Sequence, residues 1–394
     1  MNKQKLRLSL SLYLNYVAHG FGLLILSQNM TALGKSWSVP LKLVSFVISG
    51  VGIGRLLAYL ITGYLADKIS RKFFVYLGMA CYLAFALGIP FSKNVYLAYG
   101  LAILAGIANS ALDAGTYTTF AEMGQKGSRG NILIKAAASL GEFILPLLVS
   151  SLHHHQLWYG YSFMAMAGIL IINAILLAPL KFPQAGRKVA EAGQNTAKSQ
   201  KSWLTTVCFA LYGYASMALM IWFTQWITLF GQKQGFSTAT SHLFLSLYSV
   251  GSIIGVFILF GLLSREVSPY AILMVMNVLA TLMVLLLLVS HSAFLSEFAS
   301  FMFGLTAASG IMQTGLNAFM EFFPDKKGLA TGIFYFFGAA ASFTVPIITG
   351  VLSDIDIRLA FGGDLAVGIL ACLLVTVIAV SRGKRKNQQL NISK

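Results

Sequence analysis

Charged residues are scarce in this 394-residue chain, and acidic residues are the scarcest of them. Asp, Glu, Lys and Arg make up 10% of the sequence, whereas a soluble domain carries about 25%. Hydrophobic residues make up 57%. Because lipid is the solvent that accepts so much apolar surface, the composition argues against a soluble enzyme or binding domain and predicts an integral membrane protein.

Cysteine is also rare, and the sequence lacks the usual signatures of catalysis. Its three cysteines lie in apolar stretches, so they indicate neither a disulfide framework nor a metal site. No Gly-rich phosphate loop of the ATPase type is present, which argues against ATP as the energy source. No nucleophile–base pair or metal motif appears either. An intramembrane enzyme is therefore the third choice, and we expect no cofactor and no metal.

Lys and Arg number 28 against 12 Asp and Glu, which gives a formal charge of +16. In a soluble protein this excess would suggest nucleic acid as a partner. Here the basic residues flank apolar segments, and with a cytoplasmic N-terminus nearly all of them fall inside. The exceptions are Arg55, within a segment, and a few outside residues: Lys35, Lys42, Lys93, Lys233 and Arg358. The positive-inside rule then predicts a multi-pass cytoplasmic-membrane protein with both termini in the cytoplasm, and no nucleic-acid partner.

Apolar stretches long enough to span a bilayer recur along the whole chain, and their length predicts helices rather than barrel strands. We place twelve, at 8–30, 43–66, 73–91, 95–122, 132–152, 160–182, 204–230, 240–263, 270–289, 293–321, 328–353 and 360–381. Pro146 and Pro346, and likewise Asp113 and Gln313, stand about 200 residues apart on corresponding segments, which indicates duplication. The predicted fold is all-α: a six-helix bundle over 1–182, a cytoplasmic linker over 183–203 and a second six-helix bundle over 204–394.

The loop after the second segment carries the most specific motif. Residues 63–72 read Gly-Tyr-Leu-Ala-Asp-Lys-Ile-Ser-Arg-Lys. This resembles the cytoplasmic signature of the major facilitator superfamily, Gly-x-Leu-Ala-Asp-Arg-x-Gly-Arg-Lys, with Ser70 in place of the second Gly. The resemblance implies two six-helix bundles related by a pseudo-two-fold axis, and a conformational latch at this loop. Its members here are Gly63, Asp67, Lys68, Arg71 and Lys72, with Glu122 as the expected partner of the two last basic residues.

Polar residues at membrane depth are the candidate site, because such residues are costly in lipid. The resemblance implies that the first, fourth, seventh and tenth segments line a central cavity, and polar side chains recur on them at helical spacing. The candidates for substrate binding or coupling are Asn15, His19, Arg55, Asn109, Asp113, Tyr117, Glu142, Trp222, Gln225, Trp226, Gln313 and Asn317, with Ser309 beside the last two.

Each candidate has a structural alternative. Asn, Gln and Ser often only join membrane helices to one another, and tryptophans often anchor at interfaces. Arg55 and Asp113 are interpreted either as a structural pair or as functional groups. As functional groups, Arg55 would bind an anion, and Asp113 or Glu142 would carry a coupling proton.

Transport of a small molecule is the function that the sequence favours. The stretch 141–148 lacks the Gly-Pro-x-x-Gly-Gly element of drug/proton antiporters, which favours uptake. Residues 112–116 resemble the fucose-permease-like branch of the superfamily. We therefore predict a monomeric, proton-coupled transporter of a hydroxylated organic acid or a sugar. The alternative is a multidrug or toxic-compound exporter.

Overall fold

The computed structural model describes residues 3–65, 70–123, 130–183, 203–265, 267–323 and 327–392. Fourteen helices occupy these residues. They are α1 (Lys3–Gln28), α2 (Met30–Trp37), α3 (Leu41–Leu65), α4 (Arg71–Phe91), α5 (Val95–Glu122), α6 (Gly130–His154), α7 (Gly160–Leu177), α8 (Trp203–Lys233), α9 (Thr238–Ser264), α10 (Pro269–Val289), α11 (Ala293–Ala307), α12 (Ile311–Phe322), α13 (Lys327–Ile355) and α14 (Ile357–Ile392).

Twelve segments are long and apolar enough to cross a membrane, which confirms the predicted fold class. The described residues contain no strand. Large apolar side chains on the perimeter are exposed, among them Phe91, Ile175 and Phe294, as expected of a surface that faces lipid. We call α1–α7 the N-terminal half and α8–α14 the C-terminal half. The predicted linker falls almost entirely outside the described residues.

Two elements differ from the predicted segments. The short helix α2 follows α1 directly, where a loop was expected, and the Trp37 indole donates to the Ser92 carbonyl at 2.9 Å. The tenth segment is not one helix, because it breaks between α11 and α12. Gly310 has φ of 123° there, a conformation that favours glycine. Ser309 lies in this break, so its predicted place on one helical face with Gln313 is wrong.

Glycines allow the closest helix approaches, and they do so at matching places in the two halves. A Cβ on Gly54 of α3 would overlap the Ile103 carbonyl oxygen of α5. A Cβ on Gly255 of α9 would likewise overlap the Leu305 carbonyl oxygen of α11. Small residues let membrane helices pack backbone to backbone. The same contact in both halves agrees with the repeat that the sequence indicates.

The two halves meet along α3 with α13 and along α6 with α9. Following the predicted orientation, we call the end of the bundle that holds Gln28 and Lys42 the outer end. Several described bonds close it. Gln28 Nε2 donates to the Thr228 hydroxyl at 3.0 Å, and Gln28 Oε1 lies 2.7 Å from His242 Nδ1. Lys42 pairs with Asp354 at 3.1 Å. A cavity lies on the inner side of these bonds.

Candidate functional site

A cavity of about 220 Å³ lies between the halves at mid-length of the helices. It is smaller than the roughly 300–1,000 Å³ typical of sites for drug-sized ligands. Eight of the predicted site residues line it: His19, Arg55, Asn109, Asp113, Tyr117, Glu142, Gln225 and Gln313. The cavity thus brings together eight of the twelve predicted side chains, and their role in binding stays a prediction.

Arg55 of α3 reaches the cavity without a direct ion-pair partner among the described residues. The residue is 8% exposed, and its Nη1 donates to Ser342 Oγ at 3.1 Å. Its Nε has no hydrogen-bond partner. Within the described part of the chain, no carboxylate oxygen lies within 4.0 Å of its guanidinium. The predicted pair of Arg55 with Asp113 is therefore not a direct ion pair.

Asp113 of α5 is held by hydroxyl groups instead. Tyr16 of α1 donates to Asp113 Oδ1 at 2.5 Å, and Tyr59 of α3 donates to Oδ2 at 3.2 Å. Both tyrosines line the cavity, and neither is among the predicted site residues. A partial signal existed, since Tyr59 lies four residues after Arg55 and so shares its helical face.

Glu142 of α6 is 3% exposed and has partners of two kinds. Lys135, two turns earlier on the same helix, places Nζ 3.3 Å from Oε1. The Ser139 hydroxyl lies 3.3 Å from Oε2 and 3.2 Å from the hydroxyl of Ser252 on α9. Lys135, which the positive-inside rule places among the cytoplasmic basic residues, lines the cavity.

Tyrosines, amides and apolar side chains such as Met217 and Met220 complete the wall. His19 Nδ1 lies 2.9 Å from the Tyr82 hydroxyl, and Gln225 donates to Ser45 Oγ at 2.6 Å. Gln225 Oε1 is buried without a partner. Tyr248 and Tyr335 line the same cavity from the C-terminal half. The site therefore presents two cations, two acids and many hydroxyls to a small ligand.

Comparison with known proteins agrees with this architecture. The family model described as Major Facilitator Superfamily matches residues 12–343 and 243–393. The chain belongs to this superfamily. It is 39% identical over 388 residues to the inner membrane transport protein YdiM of Escherichia coli (strain K12), covering 97% of this chain and 96% of the relative. It is 33% identical over 362 residues to the MFS-type transporter YfkL of Bacillus subtilis (strain 168), covering 90% of each chain.

Among solved structures, a mutant of the nucleoside transporter NupG shares the fold. Its TM-score is 0.77 at 13% identity, with 95% of this chain and 100% of that chain covered. The fold and the relatives identify this major facilitator as a multi-pass membrane transporter rather than an enzyme.

Four of the predicted site residues are not among the residues that line this transporter's cavity. Asn15 is fully buried and accepts from Asn173 Nδ2 at 2.7 Å, so it joins α1 to α7. The Trp222 indole donates to the Ala360 carbonyl on α14, and Trp226 is fully buried in the core. Asn317 is exposed elsewhere on α12. Helical spacing groups residues on a face without showing which neighbour that face contacts, and these four predictions failed for that reason.

The predicted latch is described only in part. Arg71 pairs with Glu122 through Nη2 at 3.0 Å and Nε at 3.2 Å. Lys72 donates instead to the Ala178 carbonyl at 2.8 Å, so it does not share Glu122. Asp67 and Lys68 lie outside the described residues, as do the surroundings of Gly63. A switching role for this loop stays a prediction.

Proposed function

We propose that this transporter takes up a small hydroxylated organic acid by alternating access, together with protons. The observation that carries the proposal is Arg55, a buried cation in the cavity that has no carboxylate partner among the described residues. An unpaired buried charge is costly, and a ligand that brings the opposite charge removes that cost.

The geometry of Arg55 suits a carboxylate. A guanidinium offers five N–H donors in a planar fork, and a carboxylate engages two of them at once. Nη1 is engaged by Ser342, whereas Nε is unpartnered. A substrate carboxylate would therefore supply an acceptor to a buried N–H that lacks one, on a side chain that lines the cavity.

The other polar groups of the wall suit ligand hydroxyls. Gln225 Oε1 lacks a donor, and Asn109 and Gln313 also face the cavity. Buried polar groups require partners, so ligand hydroxyls are preferred there to apolar surface. The small volume favours a ligand of about the size of a monosaccharide or sugar acid over a large lipophilic drug.

A thermal-shift assay on the purified protein tests the substrate class. A ligand that binds the folded state adds about 2.7 kcal/mol of stability at one hundred times its Kd. D-gluconate and D-glucitol form a matched pair of open-chain ligands that differ only in the carboxylate at C1. We expect gluconate to raise the melting temperature of the wild type, and both glucitol and D-glucose to have little effect.

Variants at Arg55 supply the control. Arg55→Gln should abolish the gluconate shift, and Arg55→Lys should keep only part of it, because an ammonium lacks the bidentate fork. An equal shift with glucose that survives Arg55→Gln would favour the sugar alternative. Stabilisation by several unrelated lipophilic compounds would favour an exporter.

A further inference from the structure

A line of hydrogen-bonding groups runs from Glu142 across the boundary between the halves to the break in the tenth segment. Ser139 Oγ lies 3.3 Å from Glu142 Oε2 and 3.2 Å from Ser252 Oγ. The Ser252 hydroxyl donates to the Ala308 carbonyl at 3.1 Å. Ala308 follows α11 directly, at the point where the helix ends. We call these four residues the serine chain.

The number of hydrogens in the serine chain depends on Glu142. Each serine hydroxyl has one hydrogen to donate, and an ionised carboxylate has none. When Glu142 is ionised, the two serine hydroxyl hydrogens are therefore all that is available for the three contacts. A protonated Glu142 donates to Ser139, Ser139 donates to Ser252, and Ser252 donates to Ala308, so all three contacts are satisfied. A proton on Glu142 therefore completes a link between α6 and α9.

The charged and titratable groups around Glu142 define what else its protonation changes. Lys135 contacts it from α6, Tyr248 faces it from α9, and His19 of α1 and Asp113 of α5 line the same cavity. A protonated Glu142 no longer neutralises Lys135. The cavity then has one more uncompensated positive charge, which a substrate carboxylate would balance.

Asp113 forms no comparable hydrogen-bonded link between the two halves in the described structure. Its two oxygens already accept from the Tyr16 and Tyr59 hydroxyls, which is the arrangement that an ionised carboxylate requires. All of its described hydrogen bonds stay within the N-terminal half.

We propose that Glu142 is the proton-carrying residue of this transporter, and that its proton both stabilises the closed outer end through the serine chain and frees Lys135 for the substrate anion. This deepens the proposed function, because it assigns the coupling site of the same transport cycle. The step is balanced: a carboxylate takes up one proton and becomes a carboxylic acid.

The first test needs no substrate. Leu24 is 3% exposed beside the cavity, on the side of the outer end, so Leu24→Cys reports opening of that end in a background without native cysteines. The reactive form of a cysteine is the thiolate, so the labelling rate is divided at each pH by that of the exposed reference Lys233→Cys. We expect this normalised labelling by an impermeant thiol reagent to fall on acidification. Glu142→Gln carries an amide N–H₂ that replaces the donor, so its labelling should stay low at every pH. Ser252→Ala should raise labelling at low pH.

The second test uses substrate. Binding of gluconate in weakly buffered solution should be accompanied by proton uptake in the wild type and by none in Glu142→Gln. In proteoliposomes the variant should exchange gluconate but lose pH-driven accumulation.

Wild-type pH dependence of labelling in Glu142→Gln would overturn the proposal. So would loss of accumulation in Asp113→Asn together with its retention in Glu142→Gln. If gluconate fails to bind the wild type, the substrate class is wrong, and the labelling test still decides the role of Glu142.

Discussion

Tyr59 contacts both Arg55 and Asp113 in the cavity. Its hydroxyl donates to Asp113 Oδ2 at 3.2 Å, and the centroid of its ring lies 5.9 Å from Arg55 Cζ. The two charged groups thus interact through an aromatic side chain instead of a direct ion pair. This arrangement keeps the guanidinium available while the carboxylate is satisfied.

Tyr59→Phe isolates the role of that hydroxyl. The ring stays beside Arg55, but Asp113 loses one donor, and a hydrogen bond to a charged group is worth about 1.5–3 kcal/mol. We expect a lower melting temperature and slower uptake. Tyr335→Phe is the control, because the Tyr335 ring stacks on Tyr59 at 5.9 Å without bonding Asp113 in the described structure. Equal effects of the two changes would argue against this role.

Gln28 is the central residue of the outer closure. Gln28→Ala removes its bonds to Thr228 and His242, and each buried partner left unsatisfied costs about 1–3 kcal/mol. The outer end should open more often, which raises labelling of the Leu24→Cys reporter. Lys42→Gln breaks only a partly exposed ion pair, worth about 0–1 kcal/mol, and should change labelling little. The reverse order of effects would contradict this account.

Asp364 of α14 is fully buried, and neither carboxylate oxygen has a hydrogen-bond partner in the described part of the chain. Replacing an unpaired buried acid by an apolar residue of the same shape is expected to stabilise the fold, because no buried polar atom is then left without a partner. Asp364→Leu should therefore raise the melting temperature. Asp354→Asn, at an exposed ion pair, should leave it nearly unchanged. A lower melting temperature for Asp364→Leu would show that the acid has a stabilising role.

The orientation of the chain stays a prediction, and cysteine labelling tests it. Lys233→Cys, at the exposed end of α8, should react with an impermeant reagent added to intact cells. Ser70→Cys, exposed at the start of α4, should react only after the membrane is opened. Native Cys81, Cys208 and Cys372 must be replaced first. The opposite pattern would place both termini outside.

The spanning segments could be predicted because lipid imposes the same length and apolar content on each of them. The break at Gly310 could not, because a single glycine is common in a membrane helix, and only its φ shows the change of direction.

The charged residues of the candidate site could be predicted for a related reason, whereas its tyrosines could not. Asp113 and Arg55 stand out because charge is rare in lipid. Tyr16 and Tyr59 do not, since tyrosine is tolerated in membrane helices and their bonds to Asp113 join three different helices. Trp222 and Asn15 were misplaced because the neighbour of each helical face is set by tertiary packing.

The balance of charges around the cavity bears on the energy source. Arg55 and Lys135 face Asp113 and Glu142, so the empty cavity is formally neutral. A monoanionic substrate entering with one proton leaves it neutral. Moving a net charge across the membrane is worth about 2.3 kcal/mol per 100 mV, and the loaded site moves none. Accumulation should therefore follow the pH gradient and ignore membrane voltage. A potassium diffusion potential imposed on proteoliposomes at equal pH should drive no uptake, and uptake under that condition would show that charge is carried with the substrate.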